Sequence, residues 1–303
     1  MAMEVAPAAG PALVDEPAGA ERGRMTPPGA RTGDRMRSWA LGIWSGLALL
    51  YLFIPILIVV LFSFNANKGR FNFTWQGFTL DHWKEPFADP DLAVALKNSL
   101  LIAGISTVIA TALGTFMAIA LVRYRFRGRG AVDMFTFLPL ATPEVVLGAA
   151  LLGLFLTAGM NTGFATIVIA HVMFTVSYVV VTVKARLEGM DRHIEEAAQD
   201  LGATEWATFR KVTLPMIAPG VGAAALLAAA ISVDDYVVTS FNAGQTQTFP
   251  LFIFGATRQG VPPEVNVLGS ALLIAVLLLM GANVLLQRYL ARRDGRASEP
   301  AVA

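Results

Sequence analysis

The sequence predicts an all-α, polytopic membrane protein with six transmembrane helices and both termini in the cytoplasm. Three observations carry that prediction: uncharged runs too long for a soluble core, a one-sided placement of Lys and Arg, and 55% hydrophobic against 15% charged residues. Mean hydropathy over the 303 residues is +0.59. The absence of cysteine excludes a disulfide scaffold, thiol catalysis and Cys-type zinc sites. With 23 basic and 22 acidic residues the net charge is +1, and nothing in the balance asks for a nucleic-acid partner.

The uncharged runs are 41–64, 98–122, 145–183 and 265–287. Each meets the roughly 20 apolar residues that a bilayer crossing requires. The third is too long for one span, and the small and polar stretch from Gly159 through Asn161 to Gly163 divides it. The helix ending near Ala158 is expected to begin near Ala131 and to include Glu144. A further span over about 218–241 is apolar except for Asp234 and Asp235. That makes six.

Lys and Arg test the layout, because cytoplasmic connections carry the basic excess. The N-terminal tail, the second and fourth connections and the C-terminus together hold eighteen; the opposite side holds five, namely Lys68, Arg70, Lys84, Lys97 and Arg258. Strict alternation places both ends inside. The lipid bilayer is thus the first partner.

Residues 1–38, rich in Ala, Pro, Gly and Arg, have no apolar period and are expected to be a disordered cytoplasmic tail; residues 291–303 are expected to be a cytoplasmic tail beyond the last span. The first apolar block starts too far along and is too long to be a cleaved signal peptide. The first outer loop, 65–97, carries Phe71, Phe73, Trp75, Phe78 and Trp83, rings that suit a membrane interface. Trp83 is also a candidate to face a solute path. The fifth connection, 242–264, contains Pro250, Pro262 and Pro263 and is expected to be an ordered loop.

The cytoplasmic connection 188–215 divides into two short helix-forming stretches around Gly202, with Asp191 and Thr204 as the expected N-caps. Ala197 and Ala198 allow close approach to another protein, and Glu195 and Glu196 can meet basic rims. Its pattern is Glu196-Ala197-Ala198, three residues, Gly202, nine residues, then Val212-Thr213-Leu214-Pro215. This resembles the EAA loop of the inner-membrane permease subunits of binding-protein-dependent ATP-binding-cassette importers. Val212 stands where that pattern has Ile, a swap of similar volume.

The resemblance covers about residues 40–290 and implies a transmembrane domain over 39–290 with its coupling loop, 188–215, between the fourth and fifth helices. It assigns Glu195, Glu196, Ala197, Ala198, Gly202, Glu205, Leu214 and Pro215 to ATPase coupling. It also implies a second permease subunit, two ATPase subunits and an extracytoplasmic solute-binding protein as partners. No Gly-Lys dipeptide occurs, so the phosphate-cradling loop is absent from this chain. ATP and magnesium would be bound by the ATPase partners, and no cofactor is expected here.

Ionisable residues inside a span are costly and mark functional sites by default. Glu144, Asp234 and Asp235 are such residues, and on straight helices they fall near mid-membrane or in its outer half. Two adjacent helix positions differ by about 100°. One aspartate is therefore expected to face a path and the other to bond to a neighbouring helix, to Ser232 or to Thr239. No Lys or Arg lies in these spans, which favours a small cationic solute. A structural polar contact between helices is the alternative.

The segment from Ser232 through Asp234, Asp235 and Tyr236 to Phe241, followed by Gly260-Val261-Pro262-Pro263-Glu264-Val265-Asn266-Val267-Leu268, is similar to the second permease subunit of spermidine/putrescine importers. That resemblance makes Asp234, Asp235, Glu144, Ser232 and Trp83 substrate-path candidates. Permeases for aminoethylphosphonate, opines or iron share the architecture and stay open as alternatives, as does a proton-coupled secondary transporter. The chain is not expected to be an enzyme: His-Glu-x-x-His, Gly-x-Gly-Asp and Gly-x-Ser-Gly are absent. His82, His171 and His193 are scattered over different segments and make no metal site; His171 is expected to be a helix contact.

Overall fold

The fold was analysed in a computed structural model, which describes residues 32–67, 71–72 and 74–297. Among these the regular structure is helical, with one isolated antiparallel bridge between Asn65 and Phe78. Residues 1–56 form one unit and 57–303 a second.

Helix α1, Thr32–Phe62, carries an unbroken apolar surface whose residues from Trp39 to Leu57 are all exposed. The tail expected to be disordered over 1–38 lies outside the described residues only up to 31, because α1 begins at Thr32. After α1 the chain folds around the buried Asn65 side chain. Its Nδ2 donates to Asn72 Oδ1 at 2.6 Å and to the Thr74 carbonyl at 2.8 Å, and its Oδ1 accepts from the Gln76 amide at 2.7 Å. A short helix, α2, Asp81–Lys84, follows.

Helix α3, Pro90–Arg123, starts as its sequence dictates: Asp89 accepts from the amides of Asp91 and Leu92, and Pro90 occupies the first turn, where no N–H is needed. The expected single span over 131–158 is instead two helices, α4, Arg129–Ala141, and α5, Glu144–Thr157, bent by 111°. The cause is Pro143. Its ring excludes the preceding residue from the helical region, and Thr142 is extended at ψ 130°. The estimate of depth for Glu144 on a straight helix therefore fails, since Glu144 opens α5. The turn at 159–163 divides α5 from α6, Phe164–Glu188, where expected.

Beyond α6 come α7, His193–Asp200, α8, Glu205–Thr208, a π-helical turn, Phe209–Thr213, and α9, Leu214–Asp234. Pro215 lacks the N–H of a regular ladder, and in the turn before it the Leu214 amide reaches back five residues to the Phe209 carbonyl. The fifth span ends at Asp234 rather than near Phe241. Asp235 is extended at φ −62°, ψ 118°, and α10, Val237–Asn242, resumes after it. The fifth connection, expected to be a loop, contains α11, Phe249–Gln259, which is too short to span. Helix α12, Pro263–Ala297, covers the sixth expected span and extends past residue 291; residues 298–303 lie outside the described ones.

The core is a three-helix seam. Ala110, Ala118 and Leu121 of α3 pack against Val179, Val180 and Val183 of α6 and Ile217, Ala224 and Ala228 of α9. Small residues at the contacts let the backbones approach, as they do where lipid gives helices no hydrophobic reason to associate. Among the described residues four helical stretches are long and apolar enough to cross a membrane: Trp39–Phe62, Pro90–Arg123, Phe164–Glu188 and Glu205–Asp234. The α4–α5 pair makes a fifth if it is one bent span.

Candidate functional site

Two places combine polar chemistry with a special backbone. The first is the break between α9 and α10. Asp235 cannot extend α9, yet its carboxylate accepts from the Val238 and Thr239 amides at 3.4 and 2.7 Å and from Thr239 Oγ1 at 2.7 Å. It serves α10 as an N-cap aspartate serves any helix. His171 of α6 stands beside it, with Nε2 3.4 Å from Asp235 Oδ2, and both side chains are buried.

The histidine has two further contacts, Nδ1 with Ser232 Oγ at 2.6 Å and Nε2 with Thr239 Oγ1 at 2.9 Å. Thr239 spends its one hydroxyl proton on Asp235, so His171 Nε2 supplies the proton that Thr239 Oγ1 accepts. Ser232 also bonds to Ser106 of α3 at 3.0 Å. This network satisfies every buried polar side chain it contains and holds α3, α6, α9 and α10 together.

Asp234 differs. It is exposed and, among the described residues, no other side chain bonds or pairs with it, and Glu144, opening α5, is exposed too. The two acid-bearing segments belong to packed elements: α5 lies so close to α10 that a Cβ on Gly148 would come within 2.7 Å of the Phe241 ring. Asn242 Nδ2 donates to the Gly148 carbonyl at 3.3 Å across the same contact. Of the candidates for a path, Asp234 and Glu144 are open to a solute or a second subunit, whereas Asp235 and Ser232 are tied up inside. Trp83 is also committed, its ring stacked 5.4 Å from Phe64 and its Nε1 donating to Ser63 Oγ at 3.2 Å.

The second place is the loop after α6. Gly202 sits at φ +88°, in the left-handed region, with nothing within 4 Å of where a Cβ would be. Thr204 caps α8 through the Ala207 amide at 3.2 Å, as its sequence suggests. Asp191 acts one position early, accepting from the His193 amide. Leu201 is 90% and Trp206 68% exposed, an apolar pair displayed at the bend. Glu196 and Glu205 are exposed, Ala197 and Ala198 lie on the same short helix, and Leu214 and Pro215 lead into α9. Glu195 does not join the exposed acids: Arg123 and Thr213 hold it from within the chain.

Residues 110–294 match the family of binding-protein-dependent transport system inner membrane components. The chain belongs to that family. The permease is also 41% identical over 239 residues to the spermidine/putrescine transport system permease protein PotC of Haemophilus influenzae, covering 78% of this chain and 92% of the relative. It is 39% identical over 238 residues to the putrescine transport system permease protein PotI of Escherichia coli K12, covering 76% and 84%. Among solved structures it resembles a chain of a bacterial transporter that imports alginate, with TM-score 0.63, 16% identity and 86% and 98% of the two chains covered. A chain of an amino acid transporter gives TM-score 0.51 at 19% identity, over 71% and 100%.

Membership makes this a multi-pass inner-membrane permease component of a transport system that depends on a binding protein, and not an enzyme. Both the helix break and the loop lie within the matched residues, and Trp83 lies outside them. Sequence reasoning missed Arg123 as a partner of Glu195, and it missed the break at Pro143. The Thr142-Pro143 pair was the available signal for the latter; a contact across 72 positions offered none for the former.

Proposed function

We propose that this permease forms one half of the path for a polyamine in an ATP-driven importer, joined to a second permease subunit, two ATPase subunits and an extracytoplasmic binding protein. The observation that carries the substrate is the near-40% identity, over most of both chains, to permeases named for spermidine and putrescine. The geometry agrees with a cationic solute. Asp234 stands open at a helix break with no basic residue in α5, α9 or α10 to neutralise it. An exposed carboxylate with no cationic side chain beside it attracts a polyvalent ammonium ion and disfavours an anion such as a phosphonate.

Six spans with cytoplasmic termini remain the reading, α12 supplying the sixth and the α4–α5 pair the third. In that arrangement 188–215 faces the ATPases. Glu196, Ala197, Ala198, Gly202 and Glu205, with the exposed Leu201 and Trp206, form the surface on which an ATPase engages. Leu214 and Pro215 pass the motion into α9.

Absence of native cysteine makes the topology directly testable. Single cysteines at positions 127 and 203 are expected to react with an impermeant maleimide only from the inside, and at 80 and 258 only from the outside; the reverse pattern contradicts the arrangement. ATPase activity of the reconstituted complex tests the substrate class. Binding protein loaded with spermidine or putrescine is expected to stimulate it, and stimulation by aminoethylphosphonate, an opine or ferric iron instead would overturn the polyamine reading.

A further inference from the structure

Glu195 and Glu196 are adjacent acids on α7 with opposite surroundings. Glu196 is half exposed and pairs only within its own helix, with Arg192 at 3.4 Å and His193 at 3.2 Å. Glu195 is 13% exposed and has both carboxylate oxygens engaged elsewhere in the chain. Oε2 lies 3.1 Å from Arg123 Nε, and Oε1 accepts from Thr213 Oγ1 at 2.7 Å.

The positions of those partners matter. Arg123 is the last residue of α3, and Thr213 is the last residue of the π-helical turn that feeds α9. α3 and α9 form the core seam with α6. Helix α7 itself has no fully buried residue, so apolar burial does not fasten it to the bundle. One carboxylate, held from two directions, therefore joins the loop to two long helices. Shielding from water strengthens the attraction of Glu195 and Arg123 relative to a surface ion pair, while Arg123 Nε makes no aligned hydrogen bond in it.

We propose that Glu195 is a positioning residue that transmits movement of α7, within the 188–215 loop, into α3 through Arg123 and into α9 through Thr213 at the end of the π-helical turn. This rests on the reading of that loop as the ATPase-coupling segment. It assigns Glu196 to the partner-facing side and removes Glu195 from it. The π-helical turn suits the role: single turns of this kind are frequent at functional sites, and this one places Thr213 directly before α9. When the loop is displaced, the ends of α3 and α9 must follow or the ion pair must break.

The test uses the full complex in proteoliposomes with labelled spermidine, measuring the ATP hydrolysed per spermidine taken up and the ATPase subunits that co-purify. Glu195→Gln and Arg123→Gln are expected to keep the ATPase subunits and hydrolyse ATP, with uptake per ATP lowered about tenfold, the size of a typical coupling between sites. Thr213→Val, which removes one hydroxyl and spares the ion pair, is expected to give a smaller loss in the same direction. The exchange Arg123→Glu with Glu195→Arg is expected to restore part of the ratio that each single reversal loses.

Loss of the ATPase subunits in Glu195→Gln would make Glu195 a partner contact and overturn the proposal. So would normal coupling in Glu195→Gln, Arg123→Gln and Thr213→Val alongside an uncoupled Glu196→Lys. Normal binding and coupling in Glu196→Lys removes the coupling reading of the loop itself, and the proposal falls with it.

Discussion

His171 and Asp235 meet at 3.4 Å across the break that ends α9, while Asp234, one residue earlier, is turned out of the chain. Adjacent acids thus have different tasks, one holding helices together and the other left free. Asp234→Asn is expected to leave the protein folded and to raise the KM for spermidine about tenfold or more, equivalent to losing about 1.4 kcal/mol of attraction. Asp235→Asn is expected to lower stability first, because Asn still accepts from Thr239 but loses the charge facing His171. A loss of about 1–3 kcal/mol follows from weakening a buried charged hydrogen bond. Thermal unfolding in detergent, read beside uptake kinetics, separates the two effects.

Replacing His171 tests the network from its centre. His171→Leu removes the histidine partner of Ser232 and Thr239, which keep Ser106 and Asp235, and each buried hydrogen bond lost costs about 0.5–1.5 kcal/mol. His171→Gln keeps a donor and an acceptor and is expected to retain more of the folded protein. The check is the yield of monodisperse permease in size-exclusion chromatography and its unfolding temperature.

Gly202 offers a cleaner backbone test, since no neighbour lies within 4 Å of where a methyl would stand and only its φ of +88° opposes a side chain. Gly202→Val is expected to cost about 1–2 kcal/mol in the left-handed region and to displace Leu201 and Trp206 from the bend. Gly202→Asn, which tolerates that region, is expected to cost less. Uptake and ATPase coupling should follow the same order, Gly above Asn above Val.

The contact between α5 and α10 is steric. Gly148→Ala sets a methyl about 2.7 Å from the Phe241 ring, so helix or ring must shift. The expected cost is about 1–3 kcal/mol for overpacking, growing for Gly148→Leu. Because Glu144 and Asp234 flank these two helices, transport is expected to fall at substitutions that still allow insertion. Comparison of membrane-inserted amount with uptake rate measures this.

Apolar runs and turn chemistry were readable from sequence wherever the determinant is local. The spans of α3 and α6, the division at 159–163, the Thr204 cap and the bend at Gly202 all depend on residues within a few positions. The fifth span is expected to run too far because the largely apolar stretch from Tyr236 to Phe241 continues past the two aspartates. What stops the helix there is a capping carboxylate and a histidine 64 positions earlier in the chain. Glu195 was read as a partner-facing acid for the same reason: on α7 alone nothing distinguishes it from Glu196, and its environment is made by α3 and the π-helical turn. The depth of Glu144 on a straight helix fails for a local reason that is present in the sequence, the Thr142-Pro143 pair.

Movement of a polyamine at the expense of ATP hydrolysed by partner subunits is what we propose for this permease. The most direct measurement is uptake of labelled spermidine and putrescine by proteoliposomes holding the permease, its second permease subunit, the ATPase subunits and the binding protein. The account predicts uptake that requires ATP, competes with unlabelled polyamine and falls in Asp234→Asn. A complex that hydrolyses ATP yet takes up neither polyamine, or one driven by an ion gradient without ATP, would contradict it.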